Sequence, residues 1–334
     1  MEKLLSVIVP VYKVEKYISE CLESLSVPES SRHLYEVLVI NDSTPDSSAE
    51  IARTFQDRYP SVFKVIDKEN GGHGSVWNLG LSICSGKYVL FLDSDDYVVN
   101  FEKLLSFLNS TDADLVMTDK VVFMDGTDES KKTRVSGIAP GKVFSLDEKA
   151  WPCRGNGFYN AHFHSCVYKT EVLRPYTPLF IEKSYYDDIM LFVAPLIGGT
   201  TYTYTGFTLY NYRLGRAGQT MDNSVVRKNM AMQVMQRKHA LGFVEEHPVA
   251  SGPRKVLLDQ VVRRLCKIFC DFIYKLPPEE GRPMLEEWIS FVKEHVGSWG
   301  KIPEISLYGK LPYPIYRLAI KSKNAIVRLL RLVS

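Results

Sequence analysis

The stretch Leu90–Val98, LFLDSDDYV, ends an apolar run in three carboxylates, Asp93, Asp95 and Asp96, with only Ser94 between the first two. Like charges this close raise one another's pKa, so crowding them adds no stability and a cation is expected among them. Oxygen ligands at a strand end suit a hard divalent ion, Mg2+ or Mn2+, which completes its shell with substrate phosphates. Asp93 and Asp95 are the expected metal ligands, with Asp96 in support. An acidic turn without an ion is the plainer alternative. In VINDSTPDSS, Asn41 and Asp42 stand where a carboxylate accepts a hydrogen bond from a base imide or a sugar hydroxyl, unless Asp42 and Asp46 only cap the next helix. ENGGHGSVWN brings three glycines to a helix N-terminus, which suits close approach of an anionic group, and leaves His73 as either a specific contact or an exposed loop histidine. His162 and His164 alternate on a predicted strand and so share a face; with no third partner, packing or an acceptor-side role is expected of them rather than a metal.

These residues need a scaffold that brings them together. Four β-rich runs, 5–12, 35–42, 63–68 and 88–93, are separated by helical patterns at 15–25, 44–59 and 74–86, the last closed by Gly86. Continuous apolar strands alternating with helices predict an α/β fold, a mostly parallel sheet covered on both faces, in which ligands bind beyond the carboxyl ends of the strands. Pro10–Tyr12, Asn41–Asp42, Asn70–Gly74 and Asp93–Asp96 all fall at those ends. From residue 114 the pattern becomes a hairpin with a polar tip (125–133), a strand and turn at 160–173, a helix opening at SYYDDIMLF, and a strand at 201–214 leading into a Gly-rich loop. From residue 225 onward the pattern is helical.

Taken in order, VIVPVYKVEKYISECLESL, EVLVINDSTPDSS, NGGHGSVWNLGL and GKYVLFLDSDD resemble the family 2 glycosyltransferases over roughly residues 5–100. The resemblance implies the GT-A fold, Rossmann-like, with a helical C-terminal extension. It also implies transfer of a sugar from a nucleotide-diphospho-sugar, usually a UDP-sugar, with inversion at the anomeric carbon. Pro10, Val11 and Tyr12 would contact the uracil, Asp42 the base, and Asn70, Gly71 and Asn78 would lie beside the nucleotide. Asp93, Ser94 and Asp95 would engage the ribose and the metal-bound diphosphate. The general base of the family is an Asp in an acidic pair opening a later helix. That matches Asp188, with Asp187 its neighbour or a substrate-orienting group, although helix-opening acids are also favoured by the macrodipole alone. Arg213, Arg216 and Gln219, in the loop YNYRLGRAGQTM, would bind diphosphate or acceptor, or form an exposed basic loop. Two departures stand out: DSTPD replaces DGSTD, and Trp77 precedes Asn78 where many members carry an Arg. The GHGS variant suggests a subgroup acting in cell-surface polysaccharide synthesis, on a glycan or lipid-linked acceptor.

The 334 residues are 45% hydrophobic and 24% charged, a globular composition. The expected organisation is one GT-A domain over 1–224, with a nucleotide-binding half (1–110) and an acceptor-binding half (111–224), followed by a helical extension over 225–334. Net charge is +2, but residues 225–334 hold 19 Lys and Arg against 10 Asp and Glu. The basic, amphipathic end YPIYRLAIKSKNAIVRLLRLVS suits an anionic membrane face, or packs back on the domain. No recognised nucleic-acid module accompanies this charge. Six scattered cysteines without a CxxC spacing read as reduced thiols. The N-terminal apolar run is short and broken by Pro10, unlike a signal peptide, and no run reaches the roughly 18–20 residues of a membrane span. A cytoplasmic protein, or one peripheral on the cytosolic face of a membrane, is expected. Two other classes compete with this reading. A nucleotide-sugar pyrophosphorylase needs a basic Gly-rich triphosphate loop that VPVYKVEKY lacks, and a membrane-bound scaffold leaves the aligned strand ends without a purpose.

Overall fold

A computed structural model describes residues 3–148, 163–216, 219, 223–273 and 276–299. The chain divides into two compact units, residues 1–226 and 227–334. In the first, β1 (Lys3–Val11), β2 (Tyr35–Asn41), β3 (Phe63–Asp67) and β4 (Gly86–Phe91) lie close to the four predicted runs. They pair in parallel in the order β3-β2-β1-β4, in register from Leu5↔Tyr35 to Val11↔Asn41 and from Lys3↔Gly86 to Ile8↔Phe91. The chain runs outward from β1 through β3 and then returns to the other side of β1, which leaves a crevice beyond the strand ends where the order reverses. β9 (Cys166–Lys169) runs antiparallel to β4 and to β6 (Leu115–Met124), and β6 pairs in parallel with the long β10 (Thr201–Leu214). Short antiparallel additions complete a mixed ten-stranded sheet whose longest pairings are parallel: β5 (Tyr97–Val98) and β8 (Phe144–Ser145) on β10, and β7 (Ser130–Thr133) on β6.

Side chains alternate across a strand, so each strand feeds two layers. Val7, Val9 and Val11 join Val37 and Val39 in a core under α1 (Ile18–Glu23), α2 (Ser48–Arg58) and α4 (Phe101–Asn109), closed by Ile18, Leu22, Phe55, Leu104 and Leu108. Ile8 points the other way, against Gly80 of α3 (His73–Ile83), where an added Cβ would lie 2.6 Å from Ile8 Cγ2. α4 is not among the helices expected from sequence, although Phe101, Leu104, Leu105 and Leu108 have helical spacing; at nine residues it is short and follows the acidic turn closely. Gly86 opens β4 and does not close α3, which ends at Ile83. A Cβ at Gly86 would meet the Ser6 backbone nitrogen at 2.4 Å, so the strand entry needs Gly for contact with β1 and not for a helix cap.

The helix expected from Ser184 begins as α6 at Met190 (Met190–Gly198), after α5 (Thr170–Leu173). Tyr186 adopts the left-handed region (φ 66°), which stops an α-helix there, and residues Asp187–Ile189 form a 3-10 turn. After α7 (Asn223–Lys228), the described residues of the second unit form α8 (Met230–Glu246), α9 (Pro253–Ile273) and α10 (Pro278–Trp299). Buried Trp288 sits edge-on to Phe269, with centroids 4.9 Å apart. The Arg237 guanidinium lies over the Phe269 ring and donates to the Leu265 carbonyl. Among the described residues no helix is long and apolar enough to cross a membrane. The basic end, from Tyr313 onward, lies outside the described residues, as does His162.

Candidate functional site

The ends of β1, β2 and β4 meet the 3-10 turn before α6 and the loop after β10 around a cleft of about 700 Å³. Pro10, Val11 and Tyr12 line it together with Asp42, Asn70 and Gly72, and with Asp93, Ser94 and Asp95 of the acidic turn. His73, His164, Asp187, Asp188, Arg216 and Gln219 also line it. Most of the residues singled out by sequence therefore share one space. Gly71, Asn78, Asp96 and Arg213 do not line it.

The acidic turn is shaped by β10. The Asp93 N–H donates to the Tyr210 hydroxyl (3.1 Å), and the Arg213 N–H donates to Asp96 Oδ1 (2.7 Å). Asp93 faces two imidazoles, His73 Nε2 at 3.1 Å and His164 Nε2 at 3.3 Å. Burial would raise its pKa, but these two rings hold the carboxyl well below the usual carboxylate range. Asp95 pairs instead with the Arg216 guanidinium; burial and the charge of Asp93 outweigh that pair and push Asp95 up. Asp96 is raised further, by burial and then by Asp95 and Asp93. Its Oδ2 is buried with the Tyr210 hydroxyl close by but no hydrogen bond of good geometry. The turn therefore lacks positive charge despite the two partners the chain supplies. Asp93, Asp96 and His164 offer ligand atoms within 4.8 Å of one another. Burial pushes His164 down to about 4, leaving a neutral imidazole at pH 7. Two carboxylates and a neutral imidazole fit a divalent ion such as Mn2+. Asp95, expected as the second ligand, is outside this cluster.

Asp42 works mainly on its own loop. Oδ1 accepts from Lys68 Nζ and the Gly71 N–H, and Oδ2 from the Gly72 N–H, each at 2.8 Å. Asn70 Nδ2 donates to the Asp42 carbonyl at 2.8 Å. Gly72 is at φ 79°, and a Cβ on Gly71 would strike Ser75 Oγ at 2.5 Å, so the glycines let this loop fold tightly into α3.

Asn78 proves to be a bracing residue. Its Oδ1 accepts from the Leu179 and Phe180 N–H groups and its Nδ2 donates to the Phe180 carbonyl, so three of the amide's four hydrogen-bonding positions brace the 179–180 backbone. Arg213 is likewise buried behind the site. It donates to the Asp95 carbonyl (2.8 Å), binds Asp125 (2.6 Å) and Glu20, and lies over the rings of Tyr17 and Phe123. Gln219 staples the following loop, donating to the Arg213 carbonyl (2.7 Å) and accepting from the Gly215 N–H (3.1 Å). That staple presents Arg216 to Asp95.

The acidic pair is split in environment. Asp187 is buried (2% exposed) and sits at the start of α3, with His73 Nδ1 at 3.0 Å from Oδ1 and 3.1 Å from Oδ2. Asp188 is half-buried and faces the cleft. Burial would lower the His73 pKa, but Asp187 and then Asp93 hold it well above the ordinary value. With a carboxylate at each nitrogen, both nitrogens donate only as imidazolium. Sequence reasoning did not find the contact between His164 and Asp93, because the residue lies on a 3-10 turn (Phe163–Ser165) and not on the strand, which starts at Cys166. It also missed Lys120, a lysine inside the apolar β6 that burial lowers to about 8, with its ammonium 5.8 Å from the Tyr212 ring centroid.

Comparison with known proteins gives three findings. A family model described as Glycosyl transferase family 2 matches residues 6–177, just over half the chain. A Bacillus subtilis (strain 168) protein named uncharacterized glycosyltransferase EpsJ is 39% identical over 118 residues, 35% of this chain and 33% of that protein. The matches span a third or less of the length of the first three curated relatives. Among solved structures, residues 1–349 of TarS from S. aureus in complex with UDP-GlcNAc superpose with a TM-score of 0.69 at 19% identity, covering 96% of this chain and 91% of that one. The mannosyltransferase PcManGT from Pyrobaculum calidifontis, in complex with GDP-Man and Mn2+, gives 0.53 at 15% identity, with 98% and 86% covered. At these identities the structural likeness establishes the fold, GT-A with a helical C-terminal region.

Proposed function

Because this chain belongs to glycosyl transferase family 2, we propose that it moves a sugar from a UDP-sugar to a hydroxyl of a glycan or lipid-linked acceptor, inverting the anomeric carbon. The observation that carries this reading is the cleft itself, whose lining brings together the strand-end carboxylates, residues 10–12 and Asp188. Neighbours of the same fold are described in complex with UDP-GlcNAc and with GDP-Man and Mn2+, which supports a nucleotide-sugar and a metal here.

In this mechanism the uracil lies along Pro10, Val11 and Tyr12, and the diphosphate lies toward Asp93 and Arg216. The guanidinium of Arg216, freed from Asp95, is a planar fork suited to phosphate. Asp93, Asp96 and His164 would hold Mn2+ or Mg2+, with Asp95 beside them; when bound, the ion neutralises charge on the departing diphosphate. The acceptor hydroxyl attacks the anomeric carbon and its proton passes to the Asp188 carboxylate. The bond from that carbon to the diphosphate oxygen breaks on the opposite side, and its electron pair leaves with UDP. Asp187 cannot share the proton transfer, because it is buried against His73.

On this reading residues 1–110 form the nucleotide-binding half, residues 111–224 shape the acceptor side and lend His164 and Arg216 to the diphosphate, and the basic C-terminal end adsorbs to the cytosolic face of a membrane, where a lipid-linked acceptor would be found. Calorimetric titration with UDP separates an enzyme from a scaffold. Binding is expected in the presence of Mn2+ and is expected to weaken by roughly tenfold or more without it, a loss of about 1.4 kcal/mol. Absence of any UDP binding in Mn2+ counts against the donor assignment.

A further inference from the structure

His73 stands between two parts of the site that the chain keeps far apart. Its Nε2 lies 3.1 Å from Asp93 Oδ1 and its Nδ1 3.0 Å from Asp187 Oδ1, on segments 20 and 114 residues away. The ring is held in place: Trp77, fully buried one helical turn along α3, packs on it with centroids 4.1 Å apart and is itself wedged against Phe91 and Phe180. The segment that carries Asp187 is drawn to the start of α3 by a second contact, from the Lys183 N–H to the Gly71 carbonyl at 2.6 Å. The approach is close enough that a Cβ on Gly74 would lie 2.4 Å from the Ile181 carbonyl oxygen and 3.0 Å from Asp187 Oδ2.

We propose that His73 is a positioning residue that ties the donor-side turn, through Asp93, to Asp187, and so sets the distance between bound donor and Asp188. The proposal rests on the assignment of Asp188 as base. Asp187 and Asp188 share the 3-10 turn Asp187–Ile189, so an anchor on the first side chain fixes the aim of the second. Attack requires reacting atoms about 3–3.5 Å apart, and a displacement near 1 Å costs on the order of 10²-fold in rate. Release of the tether therefore acts on turnover, while the nucleotide, held by the strand ends, keeps its contacts. A residue serving only the fold would lower the melting temperature without this separation of kcat from KM.

The test compares His73→Ala, Asp187→Ala and the double variant in the full chain, with one nucleotide-sugar. The expected result for His73→Ala is a kcat about 10²-fold lower with donor KM within about threefold, and a double variant no more than about threefold below the worse single one. A kcat within about twofold of the unaltered protein, a loss confined to KM, or effects that multiply would each overturn the proposal. Nitrogen-15 NMR of the His73 ring supplies a readout independent of turnover and of truncated side chains. The two ring nitrogens are expected to respond separately, with Asp93→Asn shifting the Nε2 signal and Asp187→Asn the Nδ1 signal. A ring insensitive to either change disproves the tether. Failure of the unaltered protein to use any nucleotide-sugar would count against the proposed function, and the NMR would still decide the tether.

Discussion

Asp188→Asn is expected to lower transfer by roughly 10²–10⁴-fold, the range of a positioned general base, while UDP binding is kept. The substitution preserves shape and removes the proton acceptor. Both members of the pair line the cleft, but Asp188 is the more exposed, whereas Asp187 is buried against His73 at the start of α3. Asp93 and Asp95 line the same cleft, but Asp93 faces two imidazoles and Asp95 pairs with Arg216, so neither stands in for the lost carboxylate. Transfer rates and UDP affinity measured on the same preparation separate loss of chemistry from loss of fold. Turnover near that of the unaltered protein would remove Asp188 from the role of base.

Chelation by EDTA is the second large effect. Transfer is expected to fall by at least about 10²-fold, the consequence of losing several kcal/mol of charge stabilisation on the leaving diphosphate, and to return on adding Mn2+ or Mg2+. The reason lies in the unbalanced charge of the acidic turn. Three carboxylates crowd residues 93–96, and burial, then the neighbouring carboxylates, keep Asp95 and Asp96 raised in pKa even with Arg216 and His73 in place. A divalent ion would relieve the repulsive part of this where the chain's own cations do not. A rate indifferent to EDTA would mean that Arg216 and the histidines suffice, and the metal would drop out of the mechanism.

The fold was largely legible because its signals are local. The apolar runs of β1, β2 and β4 are continuous, as strands buried on both faces must be, and the polar residues at their ends mark the crevice. Short elements without a periodic signature, such as β5 and β8, were not visible. The site was legible as a list of residues but not as a set of partners. Asn78 and Asp42 sit in motifs that suggest donor contact, yet most of their hydrogen-bonding capacity holds the backbone of nearby loops. Arg213 and Arg216 look equivalent in sequence, three residues apart at the end of β10. Only folding shows that one is sealed among Glu20, Asp125 and two rings while the other reaches Asp95. His73 and His164 stood out as members of a Gly-rich loop and of a predicted strand, but not as partners of Asp93, 20 and 71 residues away in the chain. Pairings over such distances depend on how β9 and α3 pack around β4, which periodicity does not encode.

The central claim is that this cleft transfers sugar from a nucleotide-diphospho-sugar. It is tested most directly by incubating the purified protein with Mn2+ and a panel of UDP-sugars, then measuring release of UDP by hydrolysis or transfer. Mn2+-dependent UDP release is expected from at least one member of the panel, and its loss in Asp188→Asn. No release from any UDP-sugar, by a protein shown to bind UDP, would contradict it.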